Sequence, residues 1–365
     1  MTPLTFNVVK VFIVATSSLL IAFLWVPALT RFLYRHRLWK KHAREKAISG
    51  EDAPIFNKLH REKEVSTPRF GGLLIWVTTL VVILLFFILG RIFDTFWSEI
   101  DFLSRGQTWL PLFALVAASI VGLMDDALVV LGHLPAKIFS KLREIKGKYI
   151  GGGISFKSRF LIVGLIGLIS GLWFYYKLGF VGIHIPLLGS VFIGWWIIPL
   201  SIIVMLACWS GGVIDGLDGL AGGAFMSIFG AFIIIALSQG KADLAAFCAA
   251  IFGALLTFLW FNIPPARFYM GETGILGLTI TMGVVAFLTD SIIVLPIIAG
   301  LLVIESGSVI IQLISKRIRK KKIFLSTPIH HHFEAIGWPA YKVTMRFWIV
   351  GIILAIIGVA VRLLG

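Results

Sequence analysis

Residues 71–90 read GGLLIWVTTLVVILLFFILG, an uninterrupted run without one charged side chain. A helix rises about 1.5 Å per residue, so about 20 such residues cross the roughly 30 Å hydrocarbon layer of a bilayer. Nine further segments of this kind lie at roughly 8–30, 108–124, 160–178, 191–209, 219–238, 244–261, 274–290, 292–314 and 344–364. The chain therefore reads as an all-α integral membrane protein of about ten transmembrane helices, one domain over residues 1–365. The first span is too long for a cleaved signal peptide, and a basic stretch follows it instead of a small-residue cleavage site. Between the spans the turn-rich GFVGIHIPLLGS at 179–190 reads as a small hairpin.

Composition agrees. Apolar residues make up 58% of the chain and charged ones 14%, against about 45–50% and about 25% in soluble domains. The mean hydropathy of +0.97 excludes a disordered chain as well. A net charge of +15 invites a nucleic-acid reading. The basic residues instead fall in short blocks between apolar runs, the pattern that sets membrane topology, so no nucleic-acid partner is expected. Loops after spans one, three, five, seven and nine hold 11, 7, 0, 1 and 8 Lys or Arg, and only 6 of the 33 lie elsewhere. The positive-inside rule then puts those loops in the cytoplasm and both termini outside. Cys208 and Cys248, forty residues apart, make neither a metal-ligand spacing nor a disulfide framework.

Acidic residues gather where those cytoplasmic loops begin and end. Asp125 and Asp126 close the third span in VGLMDD, Asp215 and Asp218 stand in GGVIDGLDGLAGG, and Glu272 lies in ARFYMGETG. Carboxylates at a membrane boundary are costly unless paired, hydrated or bound to a cation. Adjacent acids repel, and one takes up a proton unless a metal or base offsets the pair. Hard carboxylate oxygens suit Mg²⁺ together with substrate phosphates, although Asp residues at a helix start also serve as caps. The last cytoplasmic loop, SKRIRKKKIFLSTPIHHHFEAIGWP, sets His330, His331 and His332 beside a cationic cluster. Three consecutive histidines cannot all point at one tetrahedral zinc, whereas imidazoles beside Lys and Arg suit phosphate oxygens. A solvated basic face is the plainer reading of the same loop. Acids, glycine-rich turns and this loop together describe a membrane enzyme that moves a phosphoryl-linked group to or from a lipid phosphate.

Several motifs go further. PIHHHFEAIGWPAYKVTMRFWIV at 328–350, VGLMDD at 121–126, DGLDGLA at 215–221, FLWFN at 258–262, MGETG at 270–274 and TPRFGG at 67–72 resemble, in order and spacing over nearly the whole chain, the phospho-N-acetylmuramoyl-pentapeptide transferases. These belong to the polyprenyl-phosphate sugar-1-phosphate transferases. The resemblance implies transfer of phospho-N-acetylmuramoyl-pentapeptide from its UDP carrier to undecaprenyl phosphate, giving lipid I and UMP with Mg²⁺ (or Mn²⁺), at the cytoplasmic face of a bacterial plasma membrane. A homodimer is left open. It also implies catalytic roles for Asp125, Asp126, Asp215 and His330, and metal ligation by Glu272, Asp125 and Asp126. Substrate contacts implied in the same way are Lys63, Thr67, Arg159, Gly216, Leu217, Asp218, Asn262, Tyr269, His331 and His332.

The chain departs from the family pattern at particular places. Trp209 and Gly212 stand where asparagines are usual, Glu272 where the metal-binding acid is aspartate, and Val129 where a lysine follows the acid pair. Arg159 takes the place of a later lysine, and His60 and Lys63 match a His-x-x-Lys pair only with one extra residue before Thr67. Three rival readings follow. One is a transferase for another UDP-N-acetyl sugar, and one is an inactive relative kept as a scaffold. The third is a secondary transporter, for which Glu305 is the one acid well inside a span.

Overall fold

The computed structural model describes residues 2–40, 65–93, 96–104, 106–131 and 153–365. Lys63, expected as a substrate contact, lies outside them, as does His60. The described residues form α1 (Pro3–Arg35), α2 (Gly72–Ile92), a short α3 (Phe96–Ile100), α4 (Trp109–Leu131) and α5 (Phe156–Tyr176). After the strands β1 (Gly182–Ile185) and β2 (Gly189–Phe192) come α6 (Ile197–Ser210), α7 (Leu220–Ser238), α8 (Ala242–Asn262) and α9 (Gly271–Leu288). The chain closes with α10 (Leu295–Ile298), α11 (Gly300–Arg319), α12 (Ile329–Ala335) and α13 (Ala340–Leu363). The expected hairpin is present: β1 and β2 pair antiparallel, Gly182 opposite Phe192 and Ile185 opposite Gly189.

Nine of the described helices are long and apolar enough to cross a membrane. The protein is an all-α, multi-pass membrane protein. Apolar side chains such as Leu24, Ile203 and Ile349 face outward, as a lipid solvent allows and water does not. The ninth expected span, 292–314, differs from the rest. It breaks after α10, and α11 carries Glu305, Ser308, Gln312 and Ser315 on its buried side with Ile310, Ile311, Ile314 and Ile318 exposed. Residues three and four apart share a helix face, so this helix is polar toward the protein and apolar outward.

At the centre lies α9, with 94% of its apolar stretch buried. It packs most closely on α4, while α8 fits between α1 and α7, and α13 lies along α7. Small residues permit the α4–α9 approach: a Cβ on Gly122 would strike the Glu272 carbonyl, and one on Gly277 would strike Ser119 Oγ. Without a hydrophobic drive between helices in lipid, such close packing supplies much of the association. It also brings the end of α4, with Asp125 and Asp126, against the start of α9, with Glu272.

Candidate active site

Neighbouring residues on a helix point about 100° apart, so the paired aspartates meet different partners. Asp126 is fully buried. Its Oδ2 accepts from Thr273 N at 2.9 Å and Thr273 Oγ1 at 2.8 Å, and its Oδ1 accepts from Arg69 Nε at 3.1 Å. Asp125 faces the other way, its Oδ1 accepting from Ile154 N at 2.6 Å and lying 3.2 Å from Arg159 Nη2. The second arm of Arg159 donates from Nη1 to Glu272 Oε1 at 2.9 Å, and its Nε donates to Ile154 O at 3.1 Å. Gly271, which starts α9, has φ +69°, and a Cβ there would collide with Asp126 Oδ2. Glycine alone meets both conditions.

The turn between α6 and α7 is built from DGLDG. Asp215 Oδ2 accepts from Gly271 N at 3.2 Å, joining this turn to the α9 start. Burial pushes the Asp215 carboxyl up to about 7; Arg69 opposes that rise while the charges of Glu272 and Asp126 add to it. Asp218 Oδ2 accepts from Ala266 N at 3.3 Å. Gly219, at φ +79°, donates its N–H to Asn262 Oδ1 at 3.0 Å, and Asn262 Nδ2 donates to Phe268 O at 2.8 Å. Asn262 is thus a buried brace between the turn and the 266–270 loop, not a lining residue. A cap from Trp348 Nε1 to Gly219 O at 3.0 Å ties α13 to the same turn.

The three histidines separate. His330 is fully buried, its Nδ1 2.9 Å from Oε2 of Glu305, which is equally buried. His331 has Nδ1 2.7 Å from Glu334 Oε2. His332 turns away, its Nδ1 accepting from Leu325 N at 3.3 Å beside the Phe324 ring. The acid that prompted the transport reading is therefore the partner of a histidine.

A cavity of about 590 Å³ opens at this end of the bundle, within the range of sites for small molecules. It is lined by Asp125, Arg159, Asp215, Gly216, Leu217, Asp218, Tyr269, Glu272 and His331, all expected from sequence. Asp126, Asn262, His330, His332 and Thr67 do not line it. Sequence reasoning missed Arg69, a lining cation inside the TPRFGG motif, and it missed the acid partners Glu305 and Glu334. One wall is apolar: Phe156, Phe160, Leu206, Ile275, Val309 and Leu313. Trp209, Gly212 and Val129 also face the cavity.

The donor set suits a hard cation in kind. Asp125, Asp215 and Glu272 engage one carboxylate oxygen each in the bonds above, Oδ1, Oδ2 and Oε1, and all three line the cavity. Among the described residues no three His, Cys, Asp or Glu side chains are close enough to hold a metal unaided. Mg²⁺ does not need that, since it takes one or two carboxylates and completes its octahedron with water and substrate phosphates. Cys208 and Cys248 are free and buried, which accords with packing.

A multi-pass helical bundle with a charged cleft where its helices end, open beside an apolar wall, defines a membrane-embedded enzyme class. Residues 108–290 match Glycosyl transferase family 4. The chain is 34% identical over 322 residues to the phospho-N-acetylmuramoyl-pentapeptide-transferase of Pelagibacter ubique (strain HTCC1062), covering 82% of this chain and 81% of that one. It is 35% identical to the protein of the same name from Geobacillus sp. (strain WCH70), over 82% and 85% of the two chains. Against the one from Granulibacter bethesdensis, the identity is 34% over 94% and 90%. The chain belongs to the phospho-N-acetylmuramoyl-pentapeptide transferase family.

Proposed function

We propose that this protein transfers phospho-N-acetylmuramoyl-pentapeptide from a UDP carrier to undecaprenyl phosphate in peptidoglycan synthesis, releasing UMP. The observation that carries this is the convergence of Asp125, Asp215, Glu272, Arg159 and His331 on one cavity in a chain of this family. In the reaction an oxygen of the lipid phosphate attacks the sugar-linked phosphorus, a new P–O bond forms, and the P–O bond to UMP breaks. Charge spreads over the phosphoryl oxygens, so catalysis is chiefly positioning and electrostatic stabilisation.

Asp125 and Glu272, with Asp215 beside them, would hold Mg²⁺. The ion would neutralise phosphate charge. The protein's own groups do the rest. Arg159 and Arg69 bring fixed cations to the cleft, and His331, held by Glu334, presents its Nε2 toward the diphosphate. Gly216 and Leu217 offer backbone at the turn, where a flat uracil can lie with Asp218 and Tyr269. Val309, Leu313 and the exposed isoleucines of α11 give a prenyl chain a surface that is continuous with lipid.

The Lys and Arg counts of the loops support a cytoplasmic position for this cleft in a bacterial plasma membrane. Trp209 and Gly212 at the cavity wall give a second reading its specific support, a different UDP-N-acetyl sugar as donor. UMP release from each UDP-sugar in turn, with undecaprenyl phosphate and Mg²⁺, tests both. Release from UDP-N-acetylglucosamine and none from the muramoyl pentapeptide donor would transfer the reading to that sugar.

A further inference from the structure

Two polar atoms stand out near the cleft because they are fully enclosed and have no hydrogen-bond partner among the described residues: Glu305 Oε1 and His330 Nε2. Enclosed polar atoms without partners are costly, and sites of function are where such costs persist. The two residues are themselves partners, Glu305 Oε2 to His330 Nδ1 at 2.9 Å, with both side chains at 0% exposure. Their setting is built. On α11 the polar stripe Glu305, Ser308, Gln312 and Ser315 faces the protein. Gln312 accepts from Ile323 N at 2.9 Å and Phe324 N at 3.1 Å, and Ser315 donates to Lys321 O at 2.9 Å. The stripe thus holds the approach to α12, and Glu305 completes it by holding the first histidine.

An ionised carboxylate has no donor, so the nitrogen facing it must carry the proton. Nε2 of His330 is then the ring nitrogen left as an acceptor. It lies against the backbone of Gly216, where a Cβ would run into it, and near His331, whose ring centroid is 4.2 Å from that of His330. Gly216 and His331 both line the cleft, so a single glycine without a side chain separates Nε2 from it.

We propose that Glu305 is a positioning residue for the transfer reaction: it holds His330 with Nδ1 protonated and leaves Nε2 as the acceptor nitrogen behind Gly216. This rests on the function proposed above only for its effect on turnover; the protonation state stands apart from it. The test is nitrogen NMR on the full chain in detergent with ¹⁵N-labelled histidine, the His330 signals being identified by their loss in His330→Asn. The expected result is a protonated Nδ1 in the parent chain, with that preference lost in Glu305→Gln, whose amide both donates and accepts. Turnover of Glu305→Gln should fall at least tenfold, with KM for the UDP-sugar within about twofold of the parent. A parent His330 protonated on Nε2 alone would overturn the proposal, as would Glu305→Gln with parental turnover and parental signals. If Glu305→Gln does not insert, the parent spectrum still decides. A parent chain that releases no UMP would refute the functional reading, and the spectrum would still decide, independently, whether Glu305 fixes the His330 proton.

Discussion

Arg159 Nη1 donates to Glu272 Oε1 at 2.9 Å, across 113 residues of sequence. Both residues line the cavity, so this contact joins two distant segments of the chain at the site. A guanidinium is a rigid fork, and here its other arm meets Asp125 at 3.2 Å. A lysine is a single point charge and cannot span both acids in that way. The longer reach of Glu272 and the fork of Arg159 form one unit.

That coupling predicts non-additivity. Arg159→Lys and Glu272→Asp should each lower turnover about tenfold, close to 1.4 kcal/mol of barrier. The double variant should recover part of the loss, because residues in one charge network couple by about 0.5–3 kcal/mol. UMP release from the four proteins measures the cycle. Losses that simply multiply would show that the two positions act independently.

The paired aspartates should fail differently. Asp125→Asn should remove turnover while the protein still folds, since Asp125 lines the cavity and an amide cannot supply its charge. Asp126→Asn should instead destabilise the protein, because Asp126 is buried and holds Arg69 and Thr273. Asp126 accepts three hydrogen bonds, from Arg69 Nε, Thr273 N and Thr273 Oγ1, through both carboxylate oxygens, and an amide has only one oxygen to accept with. Thermal unfolding in detergent separates the two. Equal stability in both variants would contradict the division of roles.

Asp215 predicts a pH dependence. Its carboxyl keeps a proton up to about 7 in the folded chain, against an ordinary value of 3.8. The folded state therefore binds more protons between those values, and stability falls as pH rises through that window. Asp215→Asn, measured with a chelator present, should raise the unfolding temperature at pH 8 more than at pH 5. A shift of the same size at both pH values would contradict the raised carboxyl.

Glu272→Gln keeps the shape of the side chain but loses its charge. It should weaken Mn²⁺ binding, followed by electron paramagnetic resonance, by at least tenfold. Glu272→Asp should still bind and shift preference from Mn²⁺ toward Mg²⁺, whose coordination is stricter. Unchanged affinity in Glu272→Gln would make Glu272 structural and leave the metal to the aspartates.

Much of the fold was legible because bilayer thickness sets the length of an apolar run, and the run at 71–90 became α2 almost residue for residue. The segment at 292–314 divides into α10 and α11, and the apolar positions of α11 face outward while its polar stripe faces the protein, an arrangement that average hydropathy does not record. In the site, residue type and spacing were enough to find Asp125, Asp215, Glu272 and His331 on the cavity wall. They could not separate Asp125 from Asp126, since that division depends on how α4 is rotated against α9. Nor could they reveal Glu305 behind His330 or Arg69 beside Asp126, because those pairs form only when distant segments meet. Asn262 reads as a substrate contact in sequence and proves to be a brace, its amide satisfied by Gly219 and Phe268.

The most direct measurement is UMP release by the purified full chain given UDP-N-acetylmuramoyl-pentapeptide, undecaprenyl phosphate and Mg²⁺. The assay is run beside Asp125→Asn and beside the parent in excess chelator. The account predicts release by the parent that requires the lipid phosphate, at least tenfold less with Asp125→Asn, and restoration of the chelated sample on adding Mg²⁺. Release that continues without undecaprenyl phosphate, or that is equal in the parent and Asp125→Asn, would contradict it.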